Sequence, residues 1–495
     1  MDQKNQEILL RCREVLTPLF GGVEQQELLT NLLLACQAAS AFQRAYQAIA
    51  AKGGDPEDEG AYAAEGAVFF PPDLRWEQLR APVQDLKTRL LALLMYIERQ
   101  IPAIRGAVQT GLWEHRASPE QLEQLLELYD GWYRRSLSGP FDFAELLEGV
   151  LRWVPYESAE KRFYAPREVC CLLAGLLQPQ GGVLYDPCCG AANLLAPLGE
   201  DMARRCRQFS IYGHESDEQA WKISKIHLYF KGLSANLEDR PVNALTLSPD
   251  ALPKADVVVG NPPFTSKWQQ KEDLAFSTDP RWKYGVPPKG NGNLAWLQHM
   301  LYTLKDPGVM SVVLNTSSLS SQNLSETRIR KGIVEDGLLE AILLLPSDMF
   351  YGTSAAVSIW ILRKGRRRDQ TLMLDARELG VRKSDASSEK RLVLDQAGRQ
   401  RIWDVWQEFC QGGAPAETGF CASVGLYEIE EKNWTLDPRK YIAYPLPNLP
   451  SWEELEQRDA ELSRELGELL TENREILRRI RREWEGESEH EPGTV

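Results

Sequence analysis

The sequence predicts an α/β protein in three parts: a helical N-terminal domain over residues 1–150, a doubly wound parallel sheet over 151–445, and a coiled-coil-like helix with a disordered tail over 446–495. Three observations carry this. The first part repeats apolar residues at helical spacing and offers little else. From Gly182 onward, short β-branched runs alternate with helical stretches, the pattern of a parallel sheet with its site at the carboxyl ends of the strands. From Trp452 the apolar residues recur in alternating steps of three and four.

At 495 residues the chain has room for two or three cores, and 43% apolar with 26% charged residues is the balance of a soluble globular protein. No run of about 18 uncharged apolar residues occurs, and Met1-Asp2-Gln3-Lys4-Asn5-Gln6 does not open a signal peptide. A cytoplasmic protein without membrane contact is therefore expected. The nine cysteines include no CxxC pair and histidines are few, which predicts free thiols and no metal. A net charge of −14 is unfavourable for gripping nucleic acid, since Lys and Arg on phosphates supply most non-specific affinity. Either basic residues cluster locally, or a partner brings the grip.

Taken in order, Ile8, Leu9, Cys12, Val15 and Leu16 form the first helical stripe, and Leu28, Leu29, Leu32, Leu33 and Cys36 the second. Gly53 to Gly60 is an acidic loop. Leu86, Leu90, Leu93, Leu94 and Tyr96 make a third stripe, and Ser118-Pro119-Glu120 caps a fourth helix carrying Leu122, Leu125, Leu126, Leu128 and Tyr129. Nothing in this part looks catalytic.

Lys161-Arg162-Phe163-Tyr164-Ala165-Pro166-Arg167 then runs into a helix from Pro166 to about Leu177. The strand Gly182 to Asp186, the turn Pro187-Cys188-Cys189-Gly190-Ala191-Ala192-Asn193 and a helix from Leu194 form the opening unit of a nucleotide-binding fold. Only Gly190 remains of a glycine-rich pattern, and Asp186 at the strand end can hold an ammonium. Phe209 to Glu215 reads as a second strand ending in an acid, a place where a carboxylate commonly takes ribose hydroxyls but where a solvated acid is equally at home. His214 is assigned no role. A helix over Ala220 to Tyr229 and a short strand over Pro241 to Leu245 follow.

The run Ala255-Asp256-Val257-Val258-Val259-Gly260 is a buried strand that stops at Asn261-Pro262-Pro263-Phe264. Two prolines fix φ and remove two donors, so this turn presents acceptors. The Asn261 side chain and the Pro262 carbonyl can take the hydrogens of an exocyclic amine such as N6 of adenine. The nitrogen lone pair, otherwise delocalised into the ring, is then turned toward an electrophilic methyl. Phe264 would stack on an extruded base, because a base paired in a duplex is out of reach. An ordinary strand-to-loop turn has the same sequence, and the context decides.

Residues 265–293 read as a flexible basic loop containing Lys267, Lys271, Arg281, Lys283 and Lys289. A helix over Leu294 to Leu301, a strand over Val309 to Leu314 and a helix over Ser325 to Gly332 come next. Strands Ala341 to Leu345 and Ala356 to Leu362 are expected to finish the sheet as a hairpin, with the basic run Arg363 to Arg368 at its exit available to phosphate. In the tail, Leu455, Leu462, Leu466, Leu469, Ile476 and Ile480 share one helix face with Asn473, which would set register against a partner; a helix folded back on its own domain is the alternative. Residues after Glu485 are expected to be disordered.

Together these stretches resemble the modification (methyltransferase) subunit of type I restriction-modification systems, a γ-type adenine-N6 DNA methyltransferase. The likeness runs through Phe163 to Arg167, Asp186 to Gly190, Gly213-His214-Glu215, Asn261 to Phe264, Phe350-Tyr351-Gly352-Thr353 and the C-terminal helix, in that order. It implies a Rossmann-like S-adenosylmethionine-dependent methyltransferase sheet. S-adenosylmethionine would be bound by Arg162, Phe163, Tyr164, Ala165, Pro166, Arg167, Asp186, Gly190, Ala191, Ala192, Glu215 and Asn243, and the target adenine would sit at Asn261, Pro262 and Phe264. It also implies DNA, a DNA-specificity subunit, a second copy of the methyltransferase subunit and a motor-nuclease restriction subunit as partners. Ala192 and Asn193 stand where that family usually has glycine, and alanine is expected to suit a backbone that need not take positive φ. Asn243 replaces an acid, and its amide can still accept a hydrogen bond. A degenerate assembly subunit, and a methyltransferase for RNA or a protein glutamine, are the competing readings.

Overall fold

The computed structural model describes residues 3–17, 21–79, 86–108, 116–152, 165–206, 208–263, 278–350, 356–366, 368–384, 390–445 and 451–487. Its contacts divide the chain into two units, Met1–Ala443 and Tyr444–Val495.

The first unit opens with helices α1 (Gln3–Leu16), α2 (Gly22–Ala51), α3 (Leu86–Gln100), α4 (Pro119–Leu137) and α5 (Phe143–Arg152). The expected stripes face inward: Leu9, Cys12, Leu28, Leu32, Leu90, Leu93, Leu122 and Leu125 are fully buried in one core. Helix α4 starts as its sequence dictates, with Ser118 accepting the Gln121 N–H and Gln121 returning a bond to the Ser118 N–H. The helical core does not end at residue 152. Ala191, Ile223 and Ile226 belong to it, so the N-terminal helices pack directly behind the turn after the first strand.

The sheet contains β1 (Gly182–Asp186), β2 (Phe209–Gly213), β3 (Ala235–Asn236), β4 (Ala255–Gly260), β5 (Leu304–Asn315), β6 (Leu339–Leu344), β7 (Val357–Lys364), β8 (Thr371–Asp375) and β11 (Cys421–Val424). They lie in the order β11-β8-β6-β7-β5-β4-β1-β2-β3. Strands β9 (Gly380–Ser384) and β10 (Lys390–Leu394) form a separate antiparallel ribbon.

The unbroken apolar runs have a simple cause. Successive residues of a strand point to opposite faces, and here both faces are covered. Val257 and Val259 of β4 join one core with helices α6 (Arg167–Leu177) and α7 (Leu195–Arg205), while Val258 joins another with the helices Asn293–Thr303 and Leu324–Glu335. The sheet is therefore doubly wound, as expected, and mostly parallel. Helix α8 (Glu218–Phe230) bridges two cores, with Trp221 and Leu228 toward the sheet and Ile223 and Ile226 toward the N-terminal helices.

Two expectations about the strands are corrected. The segment 241–245 is not a strand: Asn243 accepts the Leu245 N–H and caps a 3-10 turn over Ala244–Thr246, a local bond that competes with sheet pairing. The paired strand of that region is β3, earlier in the chain. Strands β6 and β7 are antiparallel neighbours but do not finish the sheet. Strands β8 and β11 extend it, each too short for its periodicity to reveal it.

Several basic residues of the loop and the run are engaged by the protein itself, while Lys267, Lys271 and Arg367 lie outside the described residues. Arg281 is buried against Asp279, and Lys283 pairs with Asp336. Arg363 pairs with Glu340, Lys364 donates to the Leu304 carbonyl, and Arg368 donates to the carbonyls of Gly412 and Gly413 beyond a helix end. The helix starting at Leu324 runs three residues past its expected end, to Glu335.

The second unit is one helix, Trp452–Glu487, exposed at every residue from 451 to 482. It continues two residues past Glu485, and 488–495 lie outside the described residues. Its apolar side chains are large and solvent-facing: Leu462, Leu466 and Leu469 are 53%, 58% and 62% exposed. No helix among the described residues is long and apolar enough to cross a membrane.

Candidate active site

The carboxyl ends of β1, β2 and β4 open onto a cavity of about 260 Å³, whose wall includes Ala165, Asp186, Gly190, Glu215, Asn243 and Asn261. Topology brings them together: β1 pairs with β2 on one side and β4 on the other, all parallel, so their last residues reach one edge.

The turn after β1 is stitched to β2 by backbone bonds, His214 N–H to the Asp186 carbonyl at 3.0 Å and Cys189 N–H to the His214 carbonyl at 2.9 Å. Its side chains finish the arrangement. Asp186 Oδ1 accepts the Cys188 N–H at 2.9 Å. Glu215 Oε2 accepts the Gly190 N–H at 2.8 Å, and Oε1 accepts those of Ser216 and Asp217 at 2.7 and 2.8 Å. One oxygen of Glu215 is thus fully engaged, and Oε2 keeps capacity for one further donor.

Gly190 has φ +55° and no atom lies within 4 Å of where a Cβ would stand, so its backbone is bare toward the cavity. Ala192 overturns an expectation: its φ is +63°, in the left-handed region. The alanine therefore carries the strain that glycine would relieve, a cost of about 1–2 kcal/mol. Ala192→Gly is expected to stabilise the protein by up to about 1 kcal/mol, part of the relief being offset by the lost methyl and the greater freedom of the unfolded chain. Chemical denaturation measures it.

The charge of the cavity restricts its ligand. Asp186, Glu215 and Asp217 line it, and no lysine, arginine or histidine among the described residues does. Burial pushes the Asp186 carboxyl up to about 7, against the pull of the Cys188 N–H, and burial also raises Glu215. Acidic walls that resist ionisation favour a ligand bringing positive charge. An ammonium or sulfonium beside a bare backbone turn fits them.

Asn261 and Pro263 form the wall at the end of β4. Asn243 reaches the same cavity, but its side-chain oxygen already accepts the Leu245 N–H at 3.0 Å. Pro166 and Arg167 do not line this cavity; they line an adjoining one of about 480 Å³, where Arg167 lies 3.6 Å from Glu145. Ala191 is at the cavity and Ala192 is buried behind it. Arg162, Phe163, Tyr164, Phe264 and the motif residues Tyr351, Gly352 and Thr353 lie outside the described residues.

Trp296 went unnoticed in the sequence. It is buried on the helix Asn293–Thr303 and lines the cavity beside Asn261, and its Nε1 has no hydrogen-bond partner among the described residues. An aromatic within an apolar helix gives no local signal of this. His214 has a structural place, its Nδ1 2.8 Å from the Tyr185 hydroxyl.

Comparison with known proteins identifies the family. A family model described as N-6 DNA methylase matches residues 141–446, well over half the chain. The type I restriction enzyme HindI methylase subunit of Haemophilus influenzae is 32% identical over 285 residues, covering 57% of this chain and 63% of that protein. The type I restriction enzyme MjaIX methylase subunit of Methanocaldococcus jannaschii is 27% identical over 458 residues, 86% of this chain and 78% of that one. The chain thus spans less than two thirds of the first of these relatives. Among solved structures, the type I restriction-modification system methyltransferase subunit from Streptococcus thermophilus superposes with a TM-score of 0.72 at 21% identity, over 89% of this chain and 99% of that one, a likeness of fold. With a match of this length, the chain belongs to the N-6 DNA methylase family, a family of DNA methyltransferase enzymes.

Proposed function

We propose that the chain is the catalytic subunit of a type I restriction-modification complex and methylates N6 of a flipped adenine in DNA, with S-adenosylmethionine as methyl donor. The observation that carries this reading is the acidic cavity shared by the turn after β1 and Asn261 at the end of β4. S-adenosylmethionine supplies an electrophilic methyl on a sulfonium, and its cationic groups suit walls that carry Asp186 and Glu215 and, among the described residues, no cation. Gly190 and Ala191 offer backbone for close approach, Glu215 Oε2 accepts from a ribose hydroxyl, and Asn243 borders the base.

Asn261 and the Pro262 carbonyl accept the two hydrogens of the adenine amine. The nitrogen lone pair is then available to the methyl carbon. As the C–N bond forms the methyl–sulfur bond breaks, leaving the neutral thioether S-adenosylhomocysteine. The proton of the methylated nitrogen passes to water, while Asn261 and Pro262 only accept hydrogen bonds. Phe264 stacks on the extruded base, and Trp296 supports the wall beside it.

Recognition of the DNA sequence falls to a separate specificity subunit in this reading. The net charge of −14 and the internal pairing of the basic run leave this chain a poor grip of its own. The exposed stripe of the helix Trp452–Glu487 is the surface that joins the specificity subunit, with a second methyltransferase copy and a motor-nuclease subunit completing the assembly in the cytoplasm. Methyl transfer by the chain alone and with the specificity subunit tests the division of labour. Transfer is expected only with the partner, and deletion of residues 451–495 is expected to abolish it while cofactor affinity is unchanged. Partner-dependent transfer that survives the deletion would overturn the assignment of the helix.

A further inference from the structure

The turn that faces the cavity is held from behind by a group that the reaction does not use. His227, on helix α8, is 1% exposed, and its Nδ1 lies 2.8 Å from the Ala191 carbonyl oxygen. A carbonyl oxygen only accepts, so Nδ1 carries the proton and the ring is held as the Nδ1–H tautomer. Burial lowers the pKa of this imidazole, which keeps it neutral. The residue lines the second cavity, and its Nε2 lies 3.9 Å from Glu148 of α5.

The position of this bond matters more than its strength. Ala191 stands between Gly190 at φ +55° and Ala192 at φ +63°. A left-handed residue on either side of Ala191 is a conformation that a chain leaves readily unless its surroundings fix it. Glu215 fixes the near side through the Gly190 N–H, and His227 fixes the far side through the Ala191 carbonyl. The N–H of the same peptide donates to the Cys189 carbonyl at 2.8 Å, so release of the Ala191 carbonyl leaves this peptide held at one end only and loosens the backbone presented to the cavity.

We infer that His227 is a positioning residue for the cofactor turn: it sets the turn for S-adenosylmethionine by holding the Ala191 carbonyl and touches neither cofactor nor DNA. The inference rests on the reading of the cavity as the cofactor site. It assigns a binding role to α8, the helix that joins the N-terminal helical core to the sheet, and so makes the turn responsive to that core.

The test compares His227→Ala and His227→Asn with the unaltered chain, each in the complete complex with the specificity subunit. Calorimetry gives S-adenosylmethionine affinity, and methyl transfer gives KM for the cofactor and kcat. For His227→Ala, Kd and KM are expected to rise about tenfold or more, with kcat at saturation within about threefold, since the acceptors at Asn261 are untouched. His227→Asn, whose amide also donates, is expected to recover most of the affinity.

Affinity within twofold of the unaltered chain in a folded His227→Ala protein would overturn the inference, as would a failure of Asn to do better than Ala. If neither variant folds, selective 15N-histidine labelling of the unaltered protein decides: the Nδ1–H tautomer of His227 is expected, and the Nε2–H tautomer overturns it. No binding of S-adenosylmethionine by the unaltered complex would instead contradict the proposed function, so the two failures are distinct.

Discussion

Asn261→Ala is expected to lower methyl transfer about 10³-fold while leaving S-adenosylmethionine affinity within severalfold. The expectation follows from where β4 ends. Val257, Val258 and Val259 are locked between two cores, and Gly260 packs against Met300 and Cys188, so the strand delivers Asn261 to the cavity on a rigid support. The cofactor side of the cavity is built by the turn after β1 and by Glu215, which contact other residues. A carboxamide that only accepts from the adenine amine acts in the transition state and contributes little to cofactor binding. Single-turnover transfer with the reconstituted complex and calorimetry with the cofactor separate the two effects. Equal losses in both would mean that Asn261 supports the fold of the site and not its chemistry.

Asp186→Asn is expected to move stability and affinity in opposite directions. Burial pushes the Asp186 carboxyl up to about 7, whereas in the unfolded chain it titrates near its ordinary value of about 4. Between these values the folded protein holds a proton that the unfolded chain has lost, so this group's contribution to stability falls as pH rises from about 4 to about 7. Above that, the folded ligand-free protein carries a buried charge. Asparagine removes the charge and its oxygen can still accept the Cys188 N–H, so the ligand-free variant is expected to be more stable at pH 8, by about 1 kcal/mol or more, and little changed at pH 4.

For a cationic ligand the sign reverses. The carboxylate is the form that attracts it, so S-adenosylmethionine affinity is expected to weaken as pH falls below about 7. In Asp186→Asn it should be about tenfold or more weaker at pH 8, with a flatter pH profile. Thermal unfolding and calorimetry across pH 5 to 8 would check this. A variant that binds as tightly as the unaltered protein at pH 8 would exclude Asp186 from the ligand's charge recognition.

What the sequence revealed and what it hid divide along a physical line. Strands β1 and β4 were legible to the residue because short apolar runs bounded by glycine and proline leave little choice of structure, and candidate residues stand directly at their ends. Asp186 and Asn261 could thus be placed at one sheet edge from the sequence. Three kinds of feature escaped. Asn243 reads as part of a strand until its capping bond to Leu245 is seen, because that choice depends on a local side-chain bond. The φ of Ala192 is imposed by the bonds around the turn and has no signature in composition. Trp296 and His227 belong to helices whose apolar faces look like ordinary core, and only the tertiary arrangement sets one in the cavity wall and the other behind the turn. The basic residues Arg281, Arg363 and Arg368 misled for the converse reason, since their partners Asp279, Glu340 and the carbonyls near Gly412 are matched through packing.

The measurement that bears most directly on the account is the identity of the methylated base. The complex of this chain with its specificity subunit is incubated with S-adenosylmethionine labelled in the methyl group and DNA from a strain lacking the modification, and the nucleosides are then separated by mass. Label on N6-methyladenine is predicted, absent with Asn261→Ala. Label on cytosine, or on no base although the cofactor is bound, would contradict the assignment of the Asn261 turn to an adenine amine.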